Sequence, residues 1–170
     1  EAVIIEDVPD IDHDYCIEVV LKESSIVARF CNLTIHQCDG YEGIICTRVG
    51  HTMIENCLLF CSASGIRVCE KGSVFSFNTI IAGGDENDYG ASFEKFSKGA
   101  FLNCGFFYCS HNPLTERDQP AISLSPNGTD LYFKNCQISK NGGHGIAYER
   151  DEKLDDDDHI IHKFFVEKMR

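Results

Sequence analysis

An asparagine that recurs between short apolar segments is the feature of this sequence that most limits its fold. Five segments share an apolar approach, an asparagine and an apolar exit, and they read FCNLTI, IENCLL, SFNTII, FLNCGF and FKNCQI. The asparagines are Asn32, Asn56, Asn78, Asn103 and Asn135, at intervals of 24, 22, 25 and 32 residues. A period of this length is typical of a solenoid, in which each repeat forms one turn of the chain.

The residues between successive asparagines indicate that each repeat is built from β-strands. A small residue followed by isoleucine begins a second strand at 43–44, 65–66, 121–122 and 145–146. Turns are predicted at Gly50, Gly72, Gly99 and Gly128, because glycine permits the positive φ that tight corners need. Leucines are few, and β-branched and aromatic residues fill the strands, which argues against leucine-rich repeats. The sequence therefore predicts an all-β fold, a right-handed parallel β-helix of about six coils with at least two strands in each.

Stacking of equivalent residues gives the asparagines a structural role. Coils of a β-helix lie about 4.8 Å apart, so a buried column of asparagine amides can pass hydrogen bonds from coil to coil. We expect the five asparagines at equivalent inward or corner positions, each bonded to its neighbour. The same register predicts an apolar column three residues after each asparagine, formed by Ile35, Leu59, Ile81, Phe106 and Ile138.

The composition changes late in the chain and suggests three parts. Residues 1–148 are predicted to form the coils. Residues 149–158 are strongly charged and end in four consecutive aspartates, which indicates an acidic loop. Residues 159–170 are apolar again, and the spacing of Ile161, Phe165 and Met169 suits a short helix that caps the solenoid, with a strand of a last coil as the alternative.

Charge and cysteine usage exclude several classes of partner. Lys and Arg total 15 against 27 Asp and Glu, so the formal net charge is -12 and nucleic acid would be repelled. No apolar run of about 20 residues is present that could span a membrane.

The ten cysteines lack the spacing of a zinc site, and we expect no metal or cofactor. Cys57, Cys104 and Cys136 form a predicted column, and we expect free thiols there because stacked Cβ atoms about 4.8 Å apart lie beyond the usual disulfide range. Reduced cysteines favour a cytoplasmic protein.

Pectin-degrading enzymes share the predicted fold, and they depend on particular catalytic side chains. Residues 143–145 read GHG, as in a polygalacturonase motif, but glycoside hydrolysis needs two carboxylates within about 5–10 Å, and none is placed to accompany His144. A pectate lyase needs carboxylates around calcium and a basic residue, and the acidic segment 85–88 contains no Lys or Arg. We therefore predict no catalytic residue and no enzymatic activity. A divergent secreted polysaccharide lyase or glycoside hydrolase is the alternative.

Two irregular corners, at 83–89 and 111–120, are the predicted places for binding. Tyr89, Tyr108, Glu116 and Arg117 lie in or beside them. Solenoids recruit partners through an exposed face and the loops along it, and tyrosines both anchor protein interfaces and stack on sugar rings. The acidic net charge favours a basic protein as the first partner, with a glycan as the second.

The stretch from Glu42 to Gly65 resembles the β-helix of the Shc-binding protein and Nessun Dorma family. The order EGII, a turn glycine, ENC, then Cys61 and Gly65 carries the resemblance, which is best over residues 1–82. It implies a larger cytoplasmic protein with a helical N-terminal part. It further implies a role in cytokinesis through the centralspindlin complex, associated with the cytoskeleton at the midbody, cleavage furrow or intercellular bridges. The β-helix of this family is implied to be non-catalytic and related to carbohydrate-binding β-helices.

Overall fold

The chain forms a β-solenoid in a computed structural model that describes residues 3–6, 15–20, 27–37, 43–61, 63–69, 71–83, 89–109, 120–125, 129–148 and 163–167. The described residues hold 18 strands and no helix. The strands are β1 Val3–Glu6, β2 Tyr15–Val20, β3 Val27–Cys31, β4 Leu33–His36, β5 Gly43–Val49, β6 His51–Glu55, β7 Leu58–Cys61, β8 Ser64–Val68, β9 Ser73–Phe77, β10 Ile80–Gly83, β11 Tyr89–Phe93, β12 Lys98–Leu102, β13 Gly105–Phe107, β14 Ile122–Leu124, β15 Asp130–Lys134, β16 Gln137–Ser139, β17 Ile146–Tyr148 and β18 Lys163–Glu167.

The strands form three parallel sheets of six strands each. Sheet A has the order β1-β4-β7-β10-β13-β16, sheet B the order β2-β5-β8-β11-β14-β17, and sheet C the order β3-β6-β9-β12-β15-β18. Each strand therefore pairs with the strand three positions away, so every turn of the chain contributes one strand to each sheet. Four turns, from β4 to β15, are described with their side chains, and the turn at either end is described in part. The solenoid fold agrees with the prediction, but each turn has three strands where the sequence indicated at least two.

The interior is filled by columns of apolar side chains that repeat from turn to turn. Ile35 pairs in register with Leu59, Leu59 with Ile81, and Ile81 with Phe106, and these four side chains are buried. Ile138 follows in register and packs against the core while half-buried. The predicted apolar column is thus confirmed. Burial of this column stabilises the stack of coils. Each large aliphatic or aromatic side chain that is buried contributes about 1.5–3 kcal/mol.

The five asparagines occupy one corner of the solenoid, where sheet C ends and sheet A begins. Each Nδ2 donates to the Oδ1 of the asparagine one turn before, over 3.2 Å in all four pairs. All five have positive φ, from 49° to 58°, which asparagine tolerates better than most residues. The equivalent corner positions and the hydrogen bonds between neighbours agree with the expectation, but the column is not buried, since all five asparagines are exposed. The reason is that the left-handed backbone turns the chain from one sheet to the next and leaves the side chain on the outside of the corner.

The predicted corner glycines serve two different purposes. Gly50 has a φ of 101° and makes the turn between β5 and β6, as predicted. Gly99 instead lies inside β12, where a Cβ atom would come within 2.6 Å of both Phe93 and Leu131. The prediction of a turn at Gly99 is therefore wrong, and the residue is small because it packs closely against core side chains. Gly128 lies outside the described residues.

The C-terminal segment forms a strand and not the predicted helix. β18 pairs in parallel with β15, and Phe164 and Val166 align with the buried Leu131 and Phe133. Alternation at these positions continues the pattern of sheet C, so the strand alternative is the correct one. The acidic segment 149–158 lies outside the described residues. In the described ranges, no helix has the length and apolar character needed to cross a membrane.

Candidate binding groove on sheet B

A row of polar side chains crosses the outer face of sheet B. Arg67, Ser92 and Ser123 lie in register on β8, β11 and β14. Their neighbours in the chain, such as Ile66 and Ile122, are fully buried in the core. Because successive side chains of a strand point to opposite faces of its sheet, the row lies on the outer side of sheet B. Arg67 and Ser92 are partly exposed there, whereas Ser123 is buried, with 2% of its surface exposed.

A groove of about 440 Å³ lies along this row. Its lining residues are Ser64, Arg67, Tyr89, Ser92, Phe93, Glu94, Lys95, Ser123 and Ser125. Four of them are serines, whose hydroxyls both donate and accept hydrogen bonds. The groove therefore offers short polar contacts on a rigid sheet, which suits a polar ligand or an extended segment of a partner protein.

The charged side chains of the groove are dominated by one ion pair. Arg67 donates to Oε1 of Glu94 through Nε at 2.9 Å and through Nη2 at 2.8 Å. Both side chains are partly exposed, so solvent screens the pair and its contribution to stability is small. Its main effect is to hold the guanidinium in a fixed orientation beside the groove. Lys95 is exposed nearby and is the other cation of the lining.

The four residues predicted to bind a partner do not lie at one site in the described structure. Tyr89 begins β11, pairs with Ser64 and lines the groove. Tyr108 lies at the corner after β13, with a φ of 56° and 52% of its surface exposed, and it is not among the lining residues. Lys140 Nζ donates to the Tyr108 hydroxyl over 3.0 Å, and this hydrogen bond raises the pKa of Lys140. Glu116 and Arg117 lie outside the described residues.

Sequence reasoning missed the polar row of Arg67, Ser92 and Ser123. These residues are 25 and 31 positions apart, and each is an ordinary surface residue when considered alone. Only the register of the strands brings them together. The signal in the sequence is their position, one residue after the buried isoleucine or alanine of each sheet B strand.

The described positions that resembled enzyme motifs do not form a catalytic arrangement in the structure. His144 is exposed in a bend, and its backbone carbonyl accepts a hydrogen bond from Ala121 over 2.8 Å. The acidic segment 85–88 lies outside the described residues. Within the described part of the chain, no group of three metal-ligating side chains comes together.

Eight described cysteines carry free thiols, and seven of them are buried. Burial raises the pKa of Cys109 to about 12. The pKa of Cys104 is also raised, first by its hydrogen bond with Cys136 and then by burial. The Sγ atoms of Cys46 and Cys69 are 3.7 Å apart in a small separate cluster, a pair that the sequence did not suggest. Raised pKa values keep Cys104 and Cys109 protonated near neutral pH, so they are packing residues and poor nucleophiles.

Fold and groove together define a parallel β-helix protein with a polar outer groove, and comparison with known proteins places it more closely. The family described as "Right handed beta helix region" matches residues 10–161, and the chain belongs to that family. Over 119 residues the chain is 29% identical to SHC SH2 domain-binding protein 1 of Mus musculus. That match covers 65% of this chain but only 16% of the mouse protein. No solved structure matches the chain significantly.

Proposed function

We propose that this chain is a non-catalytic binding module, which holds a protein partner in the sheet B groove. The observation that carries the proposal is the pair of partly exposed side chains of Arg67 and Ser92 beside Tyr89, held on two adjacent strands. A tyrosine and an oriented arginine are the residue types that contribute most to protein interfaces. Their position on a rigid sheet reduces the entropy lost on binding.

The composition of the groove supports binding over hydrolysis. A glycosidase needs two carboxylates about 5–10 Å apart, one of which must donate a proton. Glu94 is the one carboxylate among the described lining residues, and it forms an ion pair with Arg67. Right-handed β-helices occur in enzymes and in non-enzymes, so the fold alone does not decide between them. The secreted lyase or hydrolase is the weaker alternative because no second carboxylate is among the described residues that line the groove.

The proposed partner is the centralspindlin complex, which the resemblance to the Shc-binding protein and Nessun Dorma family implies. The similarity to SHC SH2 domain-binding protein 1 supports this family, since that protein is named for binding another protein. The module would then belong to a longer cytoplasmic protein that acts in cytokinesis at the midbody, cleavage furrow or intercellular bridges. The net charge of -12 favours a basic surface on the partner.

A glycan is the second proposed ligand of the same groove. Serine hydroxyls can hydrogen-bond to sugar hydroxyls, and Tyr89 at the edge of the groove offers an aromatic ring for stacking. This proposal shares its site with the first, so the same variants test both.

The test is an affinity measurement between the 170-residue chain and purified centralspindlin at low and moderate salt. Arg67→Ala should weaken binding by about tenfold or more, because it removes a central anchor. Arg29→Ala is the matched control, since Arg29 is also an exposed arginine paired with a glutamate, Glu55, but lies on sheet C. The affinity should fall as salt rises.

A glycan array and an assay for polysaccharide cleavage complete the test. Cleavage of any polysaccharide would overturn the proposal of a non-catalytic module. Tight glycan binding without binding of centralspindlin would make the glycan the ligand of the groove. Equal loss of affinity in Arg67→Ala and Arg29→Ala would show that the sheet B groove is not the binding site.

A further inference from the structure

The outer face of sheet A is apolar across its three central strands. Leu58, Ile80 and Gly105 lie in register, and so do Phe60, Ala82 and Phe107. These side chains point outward, because the residues between them in each strand are buried. Phe60 is 39% exposed and Ile80 is 45% exposed. Two adjacent apolar columns thus face solvent on one side of the solenoid.

Phe107 and His36 extend these columns. The ring of Phe107 lies over Gly105, where a side chain would not fit, and so fills the end of the first column. The ring of His36 meets that of Phe60 edge to face, with centroids 5.9 Å apart. Beside the face, a shallow groove of about 490 Å³ runs between Leu58, Ile80 and the exposed amides of the asparagine ladder. The apolar surface therefore has a border of hydrogen-bonding groups.

The described strands that form this surface carry no charged residue, with the exception of the first. Five of the six strands of sheet A, β4, β7, β10, β13 and β16, contain no Asp, Glu, Lys or Arg at any position. In sheet C, by contrast, β3, β6, β12 and β15 each carry at least one. A quarter of the whole chain is charged, so these five strands are poorer in charged residues than the chain as a whole. A contiguous exposed apolar patch with a polar border marks an interaction surface.

We propose that this face binds an amphipathic α-helix of a partner protein, with its apolar stripe on sheet A and basic residues along its flanks. Adjacent strands lie about 4.8 Å apart and an α-helix rises about 5.4 Å per turn, so a helix along the solenoid axis sets one turn on each strand. Apolar residues at i, i+4 and i+7 would then contact β7, β10 and β13 in succession. The width of a helix, about 10–12 Å, matches the short outward stretch of each strand.

The size and charge of the face argue against a second copy as the occupant. Five strands span about 24 Å, and three to four residues of each strand span about 10–13 Å, so the face measures roughly 300 Å². A stable dimer buries about 800 Å² on each partner. Two copies would also each carry a net charge of -12 and repel one another, whereas a helix with Lys or Arg on its flanks is attracted by the net negative charge of the chain.

The test uses three synthetic peptides of about 16 residues, a length that spans the face at about 1.5 Å per residue. One has a leucine stripe with lysine flanks, the second has glutamate flanks, and the third is a scramble of the first. Binding to the 170-residue chain is measured by fluorescence anisotropy. The lysine-flanked helix should bind most tightly, and Phe60→Ser and Ile80→Ser should each weaken it by about tenfold.

Matched variants keep the result interpretable. Phe75 is also 39% exposed but lies on the outer face of sheet C, so Phe75→Ser should leave the affinity unchanged. Phe60→Leu keeps an apolar contact and should retain most of the affinity. Arg67→Ala, in the sheet B groove, should also leave it unchanged, which separates this proposal from the function proposed above. Thermal melting shows whether each variant is folded.

Three results would overturn the proposal. The first is equal loss of affinity in Phe75→Ser and Phe60→Ser. The second is equal binding of the scrambled peptide. The third is a dimer in light scattering that Phe60→Ser dissociates, which would make a second copy the occupant of the face.

Discussion

The Nδ2 of Asn78 donates a hydrogen bond to the Oδ1 of Asn56 over 3.2 Å, at an exposed corner where both residues have positive φ. Asn103 repeats the contact toward Asn78 one turn later. One residue type therefore meets two requirements of each coil, a left-handed backbone at the corner and a polar link to the neighbouring coil. This combination explains why the asparagine recurs although it is not buried.

Asn78→Ala should destabilise the solenoid by about 1–3 kcal/mol. Two sources add up. Alanine tolerates the left-handed region less well than asparagine, whose short polar side chain can hydrogen-bond locally, and two exposed hydrogen bonds are lost, each worth about 1 kcal/mol or less. Asn78→Gly removes the same hydrogen bonds but adopts positive φ without strain, so it should cost less than Asn78→Ala. The measurement is urea unfolding of the three proteins. A glycine variant that is less stable than the alanine variant would contradict this account of the corner.

Gly65→Ala should destabilise the fold, whereas Gly145→Ala should not. Both glycines precede an isoleucine of sheet B, but a Cβ at Gly65 would lie 2.5 Å from the carbonyl oxygen of Gly90 and 2.7 Å from Ile81. At Gly145 the nearest atom, in Ile138, would be 3.4 Å away. We expect a loss of about 1–3 kcal/mol for Gly65→Ala, the usual cost of overpacking, and a change within about 1 kcal/mol for Gly145→Ala. Melting temperatures that fall equally in both variants would disprove the close approach of coils at Gly65.

Alkaline pH should weaken the fold through Cys109. Its pKa is raised from 9.0 to about 12 by burial, so the unfolded chain releases the proton at a lower pH than the folded chain does. The stabilisation from this thiol is complete below pH 9 and is lost as the pH rises from 9 toward 12, by about 1.4 kcal/mol per pH unit for one proton. Urea unfolding of the wild type and Cys109→Ala between pH 8 and about 10.5 measures this dependence. The variant should show the shallower decline, and identical slopes would contradict the burial of the thiol.

Periodicity in the sequence was sufficient to predict the solenoid and its main core column. Asn32 to Asn135 mark the turns, and the residue three positions later is buried in each of the four central turns that carry it. The sequence indicated at least two strands in each turn and did not give the exact number, because the sheet C strand, such as SVFSF, and the sheet A strand after it lie on either side of the same asparagine. The C-terminal helix was mispredicted because the i, i+4 spacing was taken from Ile161, Phe165 and Met169. In the strand, Phe164 and Val166 are the residues aligned with buried positions of β15.

The candidate site was harder to predict than the fold. Tyr89 was identified from its position beside an irregular corner and does line the groove. Arg67 and Ser123 were not identified, because their proximity depends on a register across three strands that intervals of 22 to 32 residues do not define. Tyr108, predicted from the same reasoning as Tyr89, instead contacts Lys140 at a separate corner. The irregular corners of this sequence indicated only the edge of the groove, because its base is formed by outward positions of the strands.

The most direct test of the binding function is hydroxyl-radical footprinting of the chain with and without its proposed protein partner, centralspindlin. This method reads the solvent exposure of individual side chains, and Tyr89 in the sheet B groove and Phe75 on sheet C are both reactive aromatic residues. Binding in the groove predicts that the partner protects Tyr89 by several-fold and leaves Phe75 unchanged. Full reactivity of Tyr89 in a complex that protects other surfaces would contradict the assignment of the groove.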